Sequence, residues 1–245
     1  VTHLLHNGQA LVPGSIAELA ALRVEALVRI NEGRLAEAVS KAKTATEIAR
    51  THQDDLGLLG CMLPLQLALN MLDECRGGLE VCIEMEQLAA RTQNPHYEAL
   101  ALLGQMAALV RLGEFDRAET AGDKALAKMP PEFSANPAAF CTGLAALCAS
   151  QKGEQEKAEE LAASALLAVQ RAEWVLSELR YALIFALEVY LAAEHPERHA
   201  AQMDLALVRL HRMNRQSPST QPLGDMLQGR VHWLRGNAAL AHRSL

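Results

Sequence analysis

The sequence predicts an all-α fold, an α-solenoid of about six antiparallel helical hairpins. Three observations carry this expectation. Turn residues recur at Gly33, Gly77, Gly113, Gly153, His195 and Gly236, with spacings of 44, 36, 40, 42 and 41. A period of that length marks stacked supersecondary units, none of which can bury its apolar face alone. Small side chains then follow each turn at a fixed offset. Five positions on stand Ala38, Cys82, Ala118, Ala158, Ala200 and Ala241, and seven further stand Ala45, Ala89, Ala125, Ala165 and Leu207. Seven residues are about two helical turns, so both positions share one face and let a neighbouring helix approach closely. Composition agrees: half of the 245 residues are hydrophobic but only 4% are aromatic. Sheet cores use more β-branched and aromatic residues.

The elements follow in order. Val1 to Pro13 lacks periodicity, so 1–14 reads as a tail or the end of a preceding repeat, and 15–245 as one helical-repeat domain. Ser15 and Glu18 fit a capping box ahead of a helix from Ile16 to Asn31. Gly33 turns the chain into a partner helix from Leu35 to about Arg50. Asp54 or Asp55 opens the next helix, which runs to about Leu72 with Pro64 inside it, where a kink is expected. Gly77 and Gly78 read as the turn of that hairpin. Asn94 caps the third pair with Pro95 at its first position, and the partner runs from Glu114 to Met129. Pro130-Pro131 and Asn136-Pro137 bracket a linker. Helices then follow at 138–151, 154–171, 173–193, 197–214 and 223–235, with Gln216 to Pro222 the most linker-like stretch.

Charge and cysteine usage exclude several classes. The net charge of −6 argues against a nucleic-acid-binding surface over the whole chain. From His195 onward seven basic residues face three acidic ones, a local +4 that leaves −10 on the rest. Five cysteines cannot form a complete disulfide framework, and they read as small buried hydrophobes. The longest apolar run, Tyr181 to Ala193, is interrupted by Glu188 and too short to span a bilayer. No leader pattern opens the chain, which points to the cytoplasm. The absence of an initiating Met and the end inside a helix suggest a piece of a longer protein.

The stretch from Arg111 to Pro130, RLGEFDRAETAGDKALAKMP, resembles the tetratricopeptide repeat: a Gly, an Ala five later, a small residue seven beyond and a Pro stop. QKGEQEKAEELAASALLAV and NEGRLAEAVSKAKTATEIA follow the same order. The units are longer than the usual ~34 residues and rich in Ala and Leu. In this they are similar to the sensor region of the large ATP-dependent LuxR-type bacterial transcription activators, the MalT-like group. The resemblance implies a right-handed superhelix whose first helices line a concave face. It also implies a signal-sensing region that binds a small effector or a protein partner, with a possible homo-oligomer. A free-standing tetratricopeptide adaptor is the alternative.

No phosphate-binding glycine loop, nucleophile elbow or zinc-type cysteine spacing occurs, so no catalytic residue, metal or cofactor is expected. His195 and His199 are four apart, but Pro196 disfavours helical geometry at His195, and a solvated turn is the expected reading. The inward positions implied by the resemblance give binding candidates at Arg23, Asn31, Arg111, Gln151, Arg230 and Trp233, with Arg180 and Tyr181 joining them. Leu27, Leu103, Leu147, Phe185 and Val189 fill most other inward positions. That mixture suits a groove for a partner helix or small ligand, with no direct nucleic-acid or membrane contact.

Overall fold

The computed structural model describes residues 12–129, 135–171, 177–215 and 218–244. The tail expected at 1–14 lies almost wholly outside these residues, as do Pro130, Pro131 and the start of the fifth pair at Glu173. Every regular element among them is helical. The α-helices are α1 (Ile16–Asn31), α2 (Leu35–Thr51), α3 (Asp55–Met71), α4 (Cys75–Arg91), α5 (Pro95–Arg111), α6 (Phe115–Lys128), α7 (Ala135–Gln151), α8 (Gln155–Arg171), α9 (Ser177–Ala192), α10 (Ala200–Asn214), α11 (Gln221–Leu234) and α12 (Ala238–Arg243). None of them is long and apolar enough to cross a membrane.

Two compact units make up the fold, Val1–Ala108 and Leu109–Leu245. In the first, α1 packs on α2 and α3, and α3 on α2 and α4. Its core joins Leu19, Ala45, Ile48, Ala49, Leu59, Met62, Met85, Leu88 and Ala101. In the second, α7 packs on α6, α8 and α9, and α9 also contacts α8, α10 and α11. The pairs α1·α3 and α7·α9 show first helices of successive hairpins lying side by side.

The turns explain the regularity. Gly33, Gln53, Asp73, Gln93, Gly113, Gly153 and Gly236 all have positive φ, between 55° and 79°. At each, two backbone bonds close the preceding helix. In the first, Gly33 N–H donates to Ile30 C=O and Arg34 N–H to Arg29 C=O. At Asp73 the same pair is Asp73 to Asn70 and Glu74 to Leu69. This is the Schellman arrangement, which satisfies carbonyls left over at a helix end. The turns at 33, 53, 73, 93 and 113 fall every twenty residues, so hairpins repeat every forty.

The expected turn at Gly77 is therefore corrected. Gly77 and Gly78 lie inside α4, and Asp73 turns the chain. Gly78, not Cys82, occupies the position five after the turn. A Cβ there would stand 2.4 Å from Asn70 Oδ1, so a small residue is needed to admit the α3 side chain. With that register, the buried small stripe runs Ala38, Ala42, Ala45, Ala49 in α2 and Ala158, Ala162, Ala165 in α8.

Other boundaries also shift. Asn136 and Pro137 belong to the first turn of α7 and not to a linker. Pro218–Thr220 forms a short 3-10 turn whose buried Thr220 hydroxyl donates to Asn214 Oδ1 at 2.6 Å, and Pro222 sits in the first turn of α11. His195 precedes a 3-10 turn over Pro196–His199, which delays α10 to Ala200. α3 runs unbroken through the buried Pro64. The Ser15 hydroxyl caps α1 by accepting from Glu18 N–H at 3.2 Å, while Glu18 reaches back to Gly14 N–H.

Candidate functional site

The second unit carries the richest face. Tyr181, Phe185 and Glu188 stand at i, i+4 and i+7 on α9, one side of one helix. Gly143 of α7 lets the two helices approach: a Cβ there would lie 3.1 Å from Ala182 Cα and 3.4 Å from Phe185 Cδ2. One turn before it, Phe140 enters the space beside that contact. Its ring meets Tyr181 edge-on at 6.4 Å and Phe185 at 5.8 Å, and Tyr181 and Phe185 lie 6.0 Å apart. Such offset and edge-to-face pairs are favoured by the ring quadrupole. Phe185 is buried, while Phe140 and Tyr181 are half-buried and so offer ring surface to a ligand.

Glu188 continues this aromatic surface. It is half-buried. Burial raises its pKa, and the positive charges of Arg111 and Arg230 pull it back down. Among the described residues the carboxylate makes no hydrogen bond or ion pair, so its oxygens are available to a donor on a partner. Burial likewise raises the Tyr181 phenol, against the charges of Arg111 and Arg180. Aromatic surface, one carboxylate and flanking guanidinium charges thus converge, a combination that suits an extended peptide with both apolar and charged groups.

The sequence-derived candidates fare differently. The charges of Arg111 and Arg230 both act on Glu188, and that of Arg111 also acts on Tyr181. Arg180 is buried, 4% exposed, rather than on an open face. Trp233 is 64% exposed on α11, and Gln151 is exposed at the end of α7. In the first unit, Asn31 turns back to donate to Leu27 C=O at 3.0 Å, which serves the end of its own helix. Arg23 of α1 lies over Gly60 of α3. Glu188 is not among the residues that repeat register singles out. Its signal is present all the same, as the one acid inside the apolar run from Tyr181 to Ala193.

His195 Nδ1 lies 3.4 Å from Glu197, whereas His199 Nε2 lies 3.2 Å from Glu159 and its ring stacks on Tyr190 at 4.8 Å. The two imidazoles thus face different partners. No group of three or more metal-ligating side chains occurs among the described residues. All five cysteines are buried. Burial pushes the thiols of Cys61 and Cys148 up to about 11 and those of Cys82 and Cys141 up to about 12.

Hairpins of paired helices on a forty-residue rhythm, closed by repeated Schellman turns, define a tetratricopeptide-like helical repeat. No family model matches the sequence, and neither does any curated protein. Solved structures do match in fold. A Rap protein complexed with competence and sporulation factor is 12% identical, with a TM-score of 0.76 over 99% of this chain and 67% of its own. The apo form of RapI is also 12% identical, with a TM-score of 0.70 over 99% of this chain and 84% of its own. At this identity the likeness is one of fold.

Proposed function

We propose that this protein is a non-enzymatic interaction module that holds a peptide segment of a partner against the first-helix face of its second unit. The observation that carries the reading is Glu188, a half-buried carboxylate without a hydrogen bond or ion pair among the described residues, at the end of the Phe140, Tyr181 and Phe185 surface. Phe140 and Tyr181 give contact area, Glu188 accepts from a basic or amide group of the peptide, and Arg111 and Arg230 favour an acidic one. Aromatic and guanidinium groups are the usual anchors of such interfaces. Support also comes from a Rap protein of the same fold having been crystallised with competence and sporulation factor. The narrower reading, a sensor region of a MalT-like transcription activator in the cytoplasm, rests on the sequence resemblance alone.

The test is selection of peptides from a displayed library on the full-length protein, followed by titration of the recovered sequences against variants. Binding should fall about tenfold or more in Phe140→Ala and in Glu188→Gln, the usual cost of removing an interface anchor or a charged hydrogen bond. Peptides that bind both variants as well as the unaltered protein would remove this face from the account.

A further inference from the structure

First helices stack in a fixed register, counted back from the turn that closes each of them. Arg23 stands ten residues before Gly33 and lies over Gly60, thirteen before Asp73. Gly143 stands ten before Gly153, and a Cβ there would lie 3.1 Å from Ala182 Cα, thirteen before His195. The tenth position back thus faces the following hairpin, and the thirteenth faces the preceding one.

Two helices leave one of these stripes open. Three before the turn, Ile30, Asn70 and Val110 are buried and Ser150 is half-buried, but Trp233 of α11 is exposed. Fourteen before it, Leu19, Leu59, Ala99 and Ala139 are buried, but Pro222 of α11 is exposed. Met226, ten before Gly236, is exposed as well. α11 therefore packs its backward stripe on α9 and presents its forward stripe to solvent. In α1 the open side is the opposite one. Five before the turn, Ala68, Ala108, Cys148 and Val231 are all buried, yet Val28 of α1 is 37% exposed. Ala20, thirteen before Gly33, is also exposed, while α1 packs forward on α3.

The two open stripes are the two halves of the contact that joins successive first helices. We infer that α11 of one copy of this chain stacks on α1 of a second copy in that same register, Met226 over Ala20 and Trp233 beside Val28. A large residue then meets a small one, and an exposed Trp is the kind of side chain that anchors an interface. Charge favours this head-to-tail arrangement. The stretch from His195 onward carries +4, whereas the first unit has eight basic residues against thirteen acidic ones, or −5. Stacking α11 on α11 would instead set like charge against like. The contact is heterologous, so each pair still offers one stripe of each kind and further copies add to it. Phe140, Tyr181 and Phe185 take no part, and the assignment stands or falls independently of the peptide face on α9.

The test is sedimentation velocity on the full chain across the micromolar range, with two surface variants. The mass of the unaltered protein should rise with concentration past that of a dimer. Trp233→Glu spoils only the forward stripe and Val28→Lys only the backward one. Each puts an unpaired charge into the contact, so each variant alone should associate roughly a hundredfold more weakly and run as a monomer. Mixed in equal amounts, the two variants retain one intact stripe of each kind and should form a dimer that grows no further. Unchanged far-ultraviolet circular dichroism identifies variants that remain folded. Unaltered protein that stays monomeric throughout, continued self-association of folded Val28→Lys through α11 alone, or a mixture of the folded variants that remains monomeric would each overturn the assignment.

Discussion

Replacing Glu188 by Gln should stabilise the folded protein at neutral pH. The carboxylate is half-buried on a face walled by Phe140, Tyr181 and Phe185, and burial is the largest influence on its pKa. Arg111 and Arg230 oppose that influence without reversing it, so the net direction is upward. A carboxyl whose pKa rises on folding contributes stability below its unfolded value, near 4.3, and loses it as pH rises through the folded value. At pH 7 the charge therefore costs stability, and the isosteric amide removes the cost. Partial burial and two nearby guanidinium groups keep the gain modest, about 1 kcal/mol, in the range typical of relieving a functional site. For a protein of this size that is roughly 2–4 °C in Tm. The assay is thermal unfolding of both proteins by circular dichroism between pH 7 and 5. The gap should be widest at pH 7 and shrink as the pH falls and the carboxyl of the unaltered protein takes up its proton. A lower Tm for Glu188→Gln at pH 7 would mean that Glu188 ties Arg111 and Arg230 together as a structural ion pair, and its role as an open acceptor would be refuted.

Other outcomes follow from the packing and the turns. Gln93→Gly should raise stability by about 1 kcal/mol, because Gln93 holds a φ of 55° that an L side chain adopts at a cost; urea denaturation giving a loss would contradict the turn geometry. Gly143→Leu should cost roughly 2–3 kcal/mol, because its Cβ alone would stand 3.1 Å from the α9 backbone; a neutral result would mean that α7 and α9 do not pack so closely. The five cysteines should resist iodoacetamide in the folded protein at pH 8 and react on unfolding, since all are buried and burial lifts four of the thiols to about 11 or 12. Rapid labelling of folded protein would contradict that burial.

Much of the fold is legible in the sequence because helix ends carry local signals. Ser15 and Asn94 read as caps and Asp54 or Asp55 as a helix start, and the side chains of Ser15, Asp54 and Asn94 each accept from a backbone N–H three residues on. Gly33, Gly113 and Gly153 read as turns, where a residue without Cβ takes the left-handed conformation cheaply. Asp73 breaks the pattern. Two glycines follow it closely and draw the expected turn toward themselves, yet Gly78 is small because Asn70 lies against it. Gln53 and Gln93 carry no turn signal at all, since their φ is imposed by the Schellman bonds and the packing around them. The candidate site is legible only in part. Repeat register places Arg111 and Arg230 inward, with Tyr181 joining them, but which of them act on Glu188 depends on three helices far apart in sequence. Glu188 escapes notice because an acid in an apolar run reads as an interruption until its neighbours are known.

The most direct test maps a selected peptide onto the protein by nuclear magnetic resonance. Bound peptide should shift the amide signals of Tyr181, Phe185, Glu188, Phe140 and Arg230 together and leave α6, α8 and α10 unmoved. Shifts concentrated on those second helices, with the α9 face silent, would contradict the account.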